Sequence, residues 1–134
     1  MIDPILERAS TLPSRFYSDP AVLEEENRRI FARTWQLAGR LAQVAERGDY
    51  FTTSVAGEPL LFVHGGDEVR AMSNVCRHRA GPVARGEGRR PVLQCGYHGW
   101  TYGLDGRLAV TPEFDGVEGF DRASCALPRF RTAA

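Results

Sequence analysis

Two cysteines and two histidines stand out from the sequence. They lie in Cys76-Arg77-His78 and Cys95-Gly96-Tyr97-His98. The pattern is C-x-H, then sixteen residues, then C-x-x-H. Each half offers one thiolate and one imidazole at the spacing of a tight turn. If the two turns face one another, two sulfur and two nitrogen donors converge on one inorganic centre. Zinc accepts that donor set, and so does an iron–sulfur cluster.

The symmetry of the pattern permits a division in the second case. Cys76 and Cys95 would hold one iron, and His78 and His98 the other. Two ferric ions, two sulfides and two thiolates sum to about zero, against roughly minus two with four cysteines. A neutral centre takes up an electron more readily, which sets the expected potential between about −150 and +300 mV. The expected chemistry is one-electron transfer. Gly81, Gly96 and Gly99 flank the donors and would let backbone amides approach such a centre.

Donors on two loops need a rigid frame, and the sequence reads as a β frame. Tyr50–Val55, Pro59–Val63 and Val69–Ser73 are expected strands, joined at Ala56-Gly57-Glu58 and His64–Glu68. Trp35–Gly39 and Leu41–Ala45 read as strands too. So do Val92–Cys95, Trp100–Leu104 and Arg107–Val110, with Asp105-Gly106 as a hairpin turn. Between Cys76 and Cys95 the sequence reads as neither strand nor helix, and a long irregular segment in a small β domain is usually functional. Residues 1–19 read as an irregular lead punctuated by Pro4 and Pro13. Asp19-Pro20 then starts a helix over Ala21–Thr34. The expected fold is all-β, an antiparallel sandwich or small barrel preceded by one helix.

Composition narrows the function classes. The chain has 134 residues, enough for one domain, and formal net charge +0. That balance gives no support for a nucleic acid or an anionic membrane as partner. All 17 cations are arginine, so a Schiff-base or phosphate-loop lysine is excluded within these residues. Three cysteines do not make a disulfide scaffold. The N-terminus has no signal-peptide pattern, and no apolar run is long enough to span a bilayer. The cytoplasm is the expected compartment.

The stretches MSNVCRHRAGPV and LQCGYHGWTYGLDGRL, with FARTWQLAGRLAQV, GDYF and GEPLLFV before them, resemble one known family. It is the N-terminal Rieske [2Fe–2S] domain of ring-hydroxylating oxygenase α subunits. The likeness runs from about Leu12 to Arg131. It implies a Rieske-type β-sandwich with a cluster-binding subdomain over 35–134, after a lead and helix over 1–34. It implies one [2Fe–2S] cluster on Cys76, His78, Cys95 and His98. A reductase or ferredoxin would be the electron donor. The acceptor would be a mononuclear iron in an oxygenase catalytic domain or neighbouring subunit.

The resemblance also refines the type. Gly81 and Tyr97 stand where cytochrome bc-type Rieske proteins have a disulfide, and Trp100 where they have a serine. Tyr102 remains as a donor to a ligand sulfur, and the low-potential end of the range is expected. Ala80 stands where many members have glycine. A mononuclear iron site with two further histidines cannot be built here, because only His64 is left over. These residues alone are therefore not expected to hydroxylate a substrate, and the end of the sequence reads as one strand short of the domain. Two other readings stay open: a free-standing Rieske ferredoxin, and a zinc-stabilised module without redox function.

Several residues carry lesser expectations. Arg77, Arg79, Arg85, Arg89 and Arg90 form either a docking surface for an acidic partner or a set of solubility charges. Trp100 and Tyr97 are expected to pack over the centre rather than to conduct. His64 is expected in a solvated loop and Cys125 as a free, half-buried thiol. Glu113, Asp115, Glu118 and Asp121 are expected in a solvated acidic loop.

Overall fold

The computed structural model describes residues 5–134; the start of the expected irregular lead, Met1 to Pro4, lies outside the described residues. The chain forms two compact units, one ending at Gln36 and one spanning Leu37–Ala134.

In the first unit the lead expected to be irregular carries a 3-10 turn at Leu6–Arg8 and a single helical turn, α1 (Arg15–Ser18), before α2 (Pro20–Arg29). Asp19 caps α2 by accepting from the Ala21 amide at 2.9 Å, with Pro20 in the first turn. Glu25 pairs with Arg28 and Arg29, and the Arg28 hydrogen bond holds its carboxyl below the usual range. The helix stops at Arg29, short of the expected Thr34. Ile30 has φ −115° and ψ −69°, and Phe31–Arg33 closes as a 3-10 turn. Side chains then take carbonyls freed by the helix end: Arg33 donates to Arg28 O and Thr34 to Ile30 O.

The second unit carries eight strands. They are β1 (Asp49–Val55), β2 (Glu58–His64), β3 (Val69–Ser73), β4 (Glu87–Arg89), β5 (Leu93–Gln94), β6 (Thr101–Tyr102), β7 (Leu108–Val110) and β8 (Arg129–Phe130). One sheet has the order β4-β1-β2-β3-β8, the other β5-β6-β7, and every pairing is antiparallel. The all-β antiparallel class expected from the sequence is the fold observed. The β1–β2 hairpin turns at Ala56 (φ 51°) and Gly57 (φ 83°). Two left-handed residues match the twist of the flanking strands.

Three segments differ from expectation. Trp35–Gly39 forms no strand, and Leu41–Val44 is a 3-10 turn. Leu37 is 95% exposed, so that run packs no strand face. At Leu41 a reciprocal clamp wins: Gln43 Oε1 accepts from the Arg40 amide while the Gln43 amide donates to Arg40 O. The segment between the two cysteines is not wholly irregular, because β4 pairs with β1 within it. Its Glu-Gly-Arg composition hides it, since an exposed edge strand has no apolar period. Arg89 secures that edge, with Nε 2.6 Å from Asp49 Oδ1.

Leu61, Val63, Met72, Val83, Leu93 and Tyr102 are the fully buried centre of the core. Cys76, Cys95 and Trp100 belong to the same cluster. At the far edge of the larger sheet β8 pairs with Ala71 and Met72. From β3 the chain enters the first donor loop through Asn74, a buried residue bonded on three sides. Its Oδ1 accepts from the Val83 and Ala84 amides at 3.1 and 2.9 Å, and its Nδ2 donates to Ala84 O at 2.9 Å. Asn74→Ala leaves buried backbone groups at Ala84 without partners, so a loss of about 2–4 kcal/mol is expected. Urea denaturation compared with wild type checks it.

Candidate metal centre

The two donor loops share one hydrogen-bond frame. The Ala80 amide donates to Cys76 O at 3.0 Å, and the Gly99 amide to Cys95 O at 3.1 Å. The Cys76 amide donates to Gly81 O at 2.8 Å, and the Cys95 amide to Trp100 O at 2.9 Å. Each cysteine is thus tied to the fourth and the fifth residue after it. The fourth residue is left-handed in both loops, Ala80 at φ 55° and Gly99 at φ 72°. Of the three glycines expected to matter, Gly99 is the one whose backbone requires glycine. The first loop leaves β3 and is pinned by a bridge between Val75 and Pro82; the second joins β5 to β6. The loops touch where Gly81 meets Cys95 Sγ and Tyr97.

This frame sorts the four donors into two pairs. Cys76 and Cys95 are neighbours, both 3% exposed and both free thiols. Burial pushes the Cys95 thiol up, while the Tyr97 and His98 amides, which donate to its sulfur, pull the other way. His78 and His98 meet edge to face, with ring centroids 4.7 Å apart. Burial first, then the neighbouring His98 and Arg79, lower the pKa of His78. It therefore favours the neutral imidazole, the form a metal binds. The cysteine pair lies in the core; His78 is half-buried and His98 exposed.

Tyr102 sits beneath the sulfur pair. Its hydroxyl lies 3.3 Å from Cys76 Sγ and accepts from the Arg77 amide at 3.0 Å. With a lone pair engaged by Arg77, the hydroxyl proton is free for the sulfur once Cys76 is a thiolate. Burial, and then Cys76 itself, push the Tyr102 hydroxyl well above its ordinary pKa, so it remains a donor. Trp100 is buried and stacks on His78, centroids 4.8 Å apart and planes 10° apart. Tyr97 stacks on His98 at 3.9 Å but is 63% exposed.

Sequence reasoning missed Phe114. It was hidden among the acids of the loop after β7, yet its ring lies 6.0 Å from His78 and 5.3 Å from Trp100, both edge to face. An aromatic between acids in a loop signals an inward anchor, and that signal was available. His64 ends β2 and takes no place near the donors: its Nδ1 accepts from the Gly66 amide at 3.0 Å. Cys125 is half-buried and free, as expected. Glu113, Asp115 and Glu118 are exposed, as expected for that loop.

The donor set fits a two-iron cluster better than a single ion. Sulfur meets sulfur and ring meets ring. A dinuclear centre takes its protein donors in two pairs.

Comparison with known proteins agrees. Residues 34–121 match the Rieske [2Fe–2S] domain. The chain is 41% identical over 128 residues to choline monooxygenase, chloroplastic, of Beta vulgaris, covering 95% of this chain and 29% of the relative. It is 38% identical over 123 residues to the carnitine monooxygenase oxygenase subunit of Escherichia coli K12, covering 90% and 33%. The quaternary ammonium Rieske monooxygenase CntA, solved with L-carnitine, superposes with TM-score 0.84 at 37% identity, over 92% of this chain and 36% of that one. The chain belongs to the Rieske [2Fe–2S] domain family, and its matches are Rieske oxygenase α subunits. The cofactor of this domain is one [2Fe–2S] cluster. The chain spans about a third of the length of the relatives it matches.

Two substitutions test the frame. Ala80→Gly replaces a strained left-handed alanine, and a net gain of roughly 0.5–1 kcal/mol is expected, seen as a higher thermal midpoint. Tyr102→Phe removes the donor to Cys76 Sγ. The reduction potential should fall, by an amount on the order of 50 mV, in a spectroelectrochemical titration.

Proposed function

We propose that Cys76 and Cys95 hold one iron of the cluster, that His78 and His98 hold the other, and that this domain transfers single electrons within a Rieske oxygenase. The carrying observation is the pairing of donors by one repeated loop frame, with the sulfurs in the core, His78 half-buried and His98 exposed. When bound, the cluster supplies a one-electron redox couple. The protein's part is to fix and tune it. Buried Cys76 and Cys95 are kept from water and from disulfide exchange. The Tyr97 and His98 amides and the Tyr102 hydroxyl place donor dipoles at the sulfurs, which favours the more negative, reduced state. Trp100 closes one face of His78. His98, exposed beneath Tyr97, gives the centre its route to a partner.

The donor in this reading is a reductase or ferredoxin. The acceptor is a mononuclear iron in an oxygenase catalytic domain, on the same or a neighbouring subunit. The described residues supply no second histidine pair for such an iron. Arg77 and Arg79, exposed and in no ion pair among the described residues, support an acidic partner surface at the histidine edge. The 37–41% identity to choline and carnitine monooxygenases exceeds the 27–31% to naphthalene 1,2-dioxygenases. That difference supports a monooxygenase of quaternary ammonium compounds as the enzyme this domain serves. The cytoplasm is the compartment of this reading, and the plant relatives are chloroplastic by name. Among the described residues no helix is long and apolar enough to cross a membrane.

Anaerobic reconstitution followed by iron, acid-labile sulfide and EPR analysis tests the reading. Equal iron and sulfide, two of each per chain, are expected, with a reduced-state signal of mixed histidine–cysteine ligation. Bound zinc with no signal would refute it. His98→Cys adds a thiolate, so the potential should drop toward the roughly −400 mV of all-cysteine plant-type clusters. An unchanged or raised potential would show that His98 is not a ligand.

A further inference from the structure

Nothing in the covalent structure of an imidazole fixes its ring plane. The torsion to an sp² ring is broad and roughly two-fold, so packing must choose the orientation. His78 is boxed on three sides. Trp100 lies flat against one face at 4.8 Å and 10°, His98 meets it at 4.7 Å and 72°, and Phe114 stands edge-on at 6.0 Å and 89°. His98, by contrast, has an exposed tyrosine over its ring.

Phe114 is itself held from behind. Phe120 packs on it at 4.8 Å and reaches Trp100 at 5.8 Å. The base of the loop is stapled by Arg122, which donates to Ala109 O at 3.0 Å and to Thr111 Oγ1 at 3.2 Å. Glu113, directly before Phe114, takes a left-handed backbone at φ 59°. A non-glycine residue keeps that conformation where its surroundings over-determine it. The loop is two-faced: Phe114 and Phe120 turn to the core cluster while Glu113, Asp115 and Glu118 face solvent.

We propose that Phe114 is a positioning residue for His78: with Trp100 it fixes the imidazole plane and closes the histidine's open side to water. This rests on the assignment of His78 as an iron ligand. Phe114 touches the ligand rather than the metal, and it acts through the ring it orients. The loop after β7 then sets the potential of the domain as well as covering its core. The sign follows from charge. With two thiolates the oxidised centre is about neutral and the reduced one carries about one negative charge. Water admitted beside His78 stabilises the more charged, reduced form, so opening the cover raises the potential.

The test uses the full 134-residue chain, reconstituted anaerobically as wild type, Phe114→Ala, Phe114→Leu and Phe120→Ala. Three quantities are read on each: iron and sulfide content, reduction potential, and the histidine-nitrogen hyperfine couplings of the reduced protein. Phe114→Ala should keep its iron and sulfide, shift the potential upward, and broaden one of the two histidine couplings. Phe114→Leu, which restores an apolar cover, should recover most of the potential. If Phe114→Ala does not load, Phe120→Ala decides, because it loosens Phe114 without a ring contact to His78; a smaller upward shift is expected. A loaded Phe114→Ala, or in its place Phe120→Ala, with wild-type potential and couplings would overturn the proposal and leave the cluster assignment standing. A wild-type protein without iron and sulfide would overturn the assignment itself.

Discussion

The Cys76 amide reaches Gly81 O at 2.8 Å, and the Cys95 amide reaches Trp100 O at 2.9 Å. These two bonds, with the shorter-range pair from Ala80 and Gly99, fix where every donor of the site can point. A five-residue turn closed this way leaves its side chains little choice of direction. One turn carries its imidazole two residues after the cysteine, the other three. The same frame still delivers a sulfur to the core from each loop, with the ring of His78 half-buried and that of His98 exposed. The strands are spacers for these turns. β3 and the β5–β6 hairpin bring the loops into contact, and the bonds of Asn74 tie the return of the first loop to its start.

Burial then sets the chemistry. Burial in the apolar core pushes the Cys95 thiol up, so it resists ionisation. Two thiolates there need a positive centre and donor hydrogen bonds to be stable. The Tyr97 and His98 amides supply such bonds to Cys95, and Tyr102 supplies one to Cys76. Neither cysteine can escape into a structural disulfide while both are engaged in this way. At the other end the imidazoles need no such compensation, because a neutral ligand costs little to expose.

Much of this was legible in the sequence. The quartet Cys76, His78, Cys95 and His98 was visible from spacing, and the long strands β1 to β3 from alternation and turn glycines. Tyr102 as a sulfur donor came from the family resemblance, and its hydroxyl does lie against Cys76 Sγ. The misses have different causes: the signal for β4 lay in a partner distant in sequence, while at Leu41–Val44 a local clamp overrode the apolar pattern. β4 is polar and exposed, and only its pairing with β1 makes it a strand. Leu41–Val44 has strand-like residues, but the Gln43 clamp folds it as a turn. Phe114 looked like a stray aromatic in an acidic loop until His78 and Trp100 gave it a purpose.

Ala80 shows how the loop frame constrains sequence. The frame asks the fourth residue after each cysteine for positive φ, and Gly99 meets that demand without strain. Alanine meets it at a cost, because its Cβ crowds the carbonyl in a left-handed turn. The Ala80 amide nonetheless keeps its bond to Cys76 O, so the geometry of the donors is preserved. The departure from glycine therefore falls on stability, and the ligand arrangement absorbs none of it. Position 80 is free to vary only while the two bonds around Cys76 outweigh the strain. The same reasoning explains why Gly81 and Gly96, whose backbones are not left-handed, need not be glycine for conformational reasons. Space does not require glycine at position 81 either, since a Cβ there would make ordinary van der Waals contact with Cys95 Sγ and Tyr97, each at 3.6 Å.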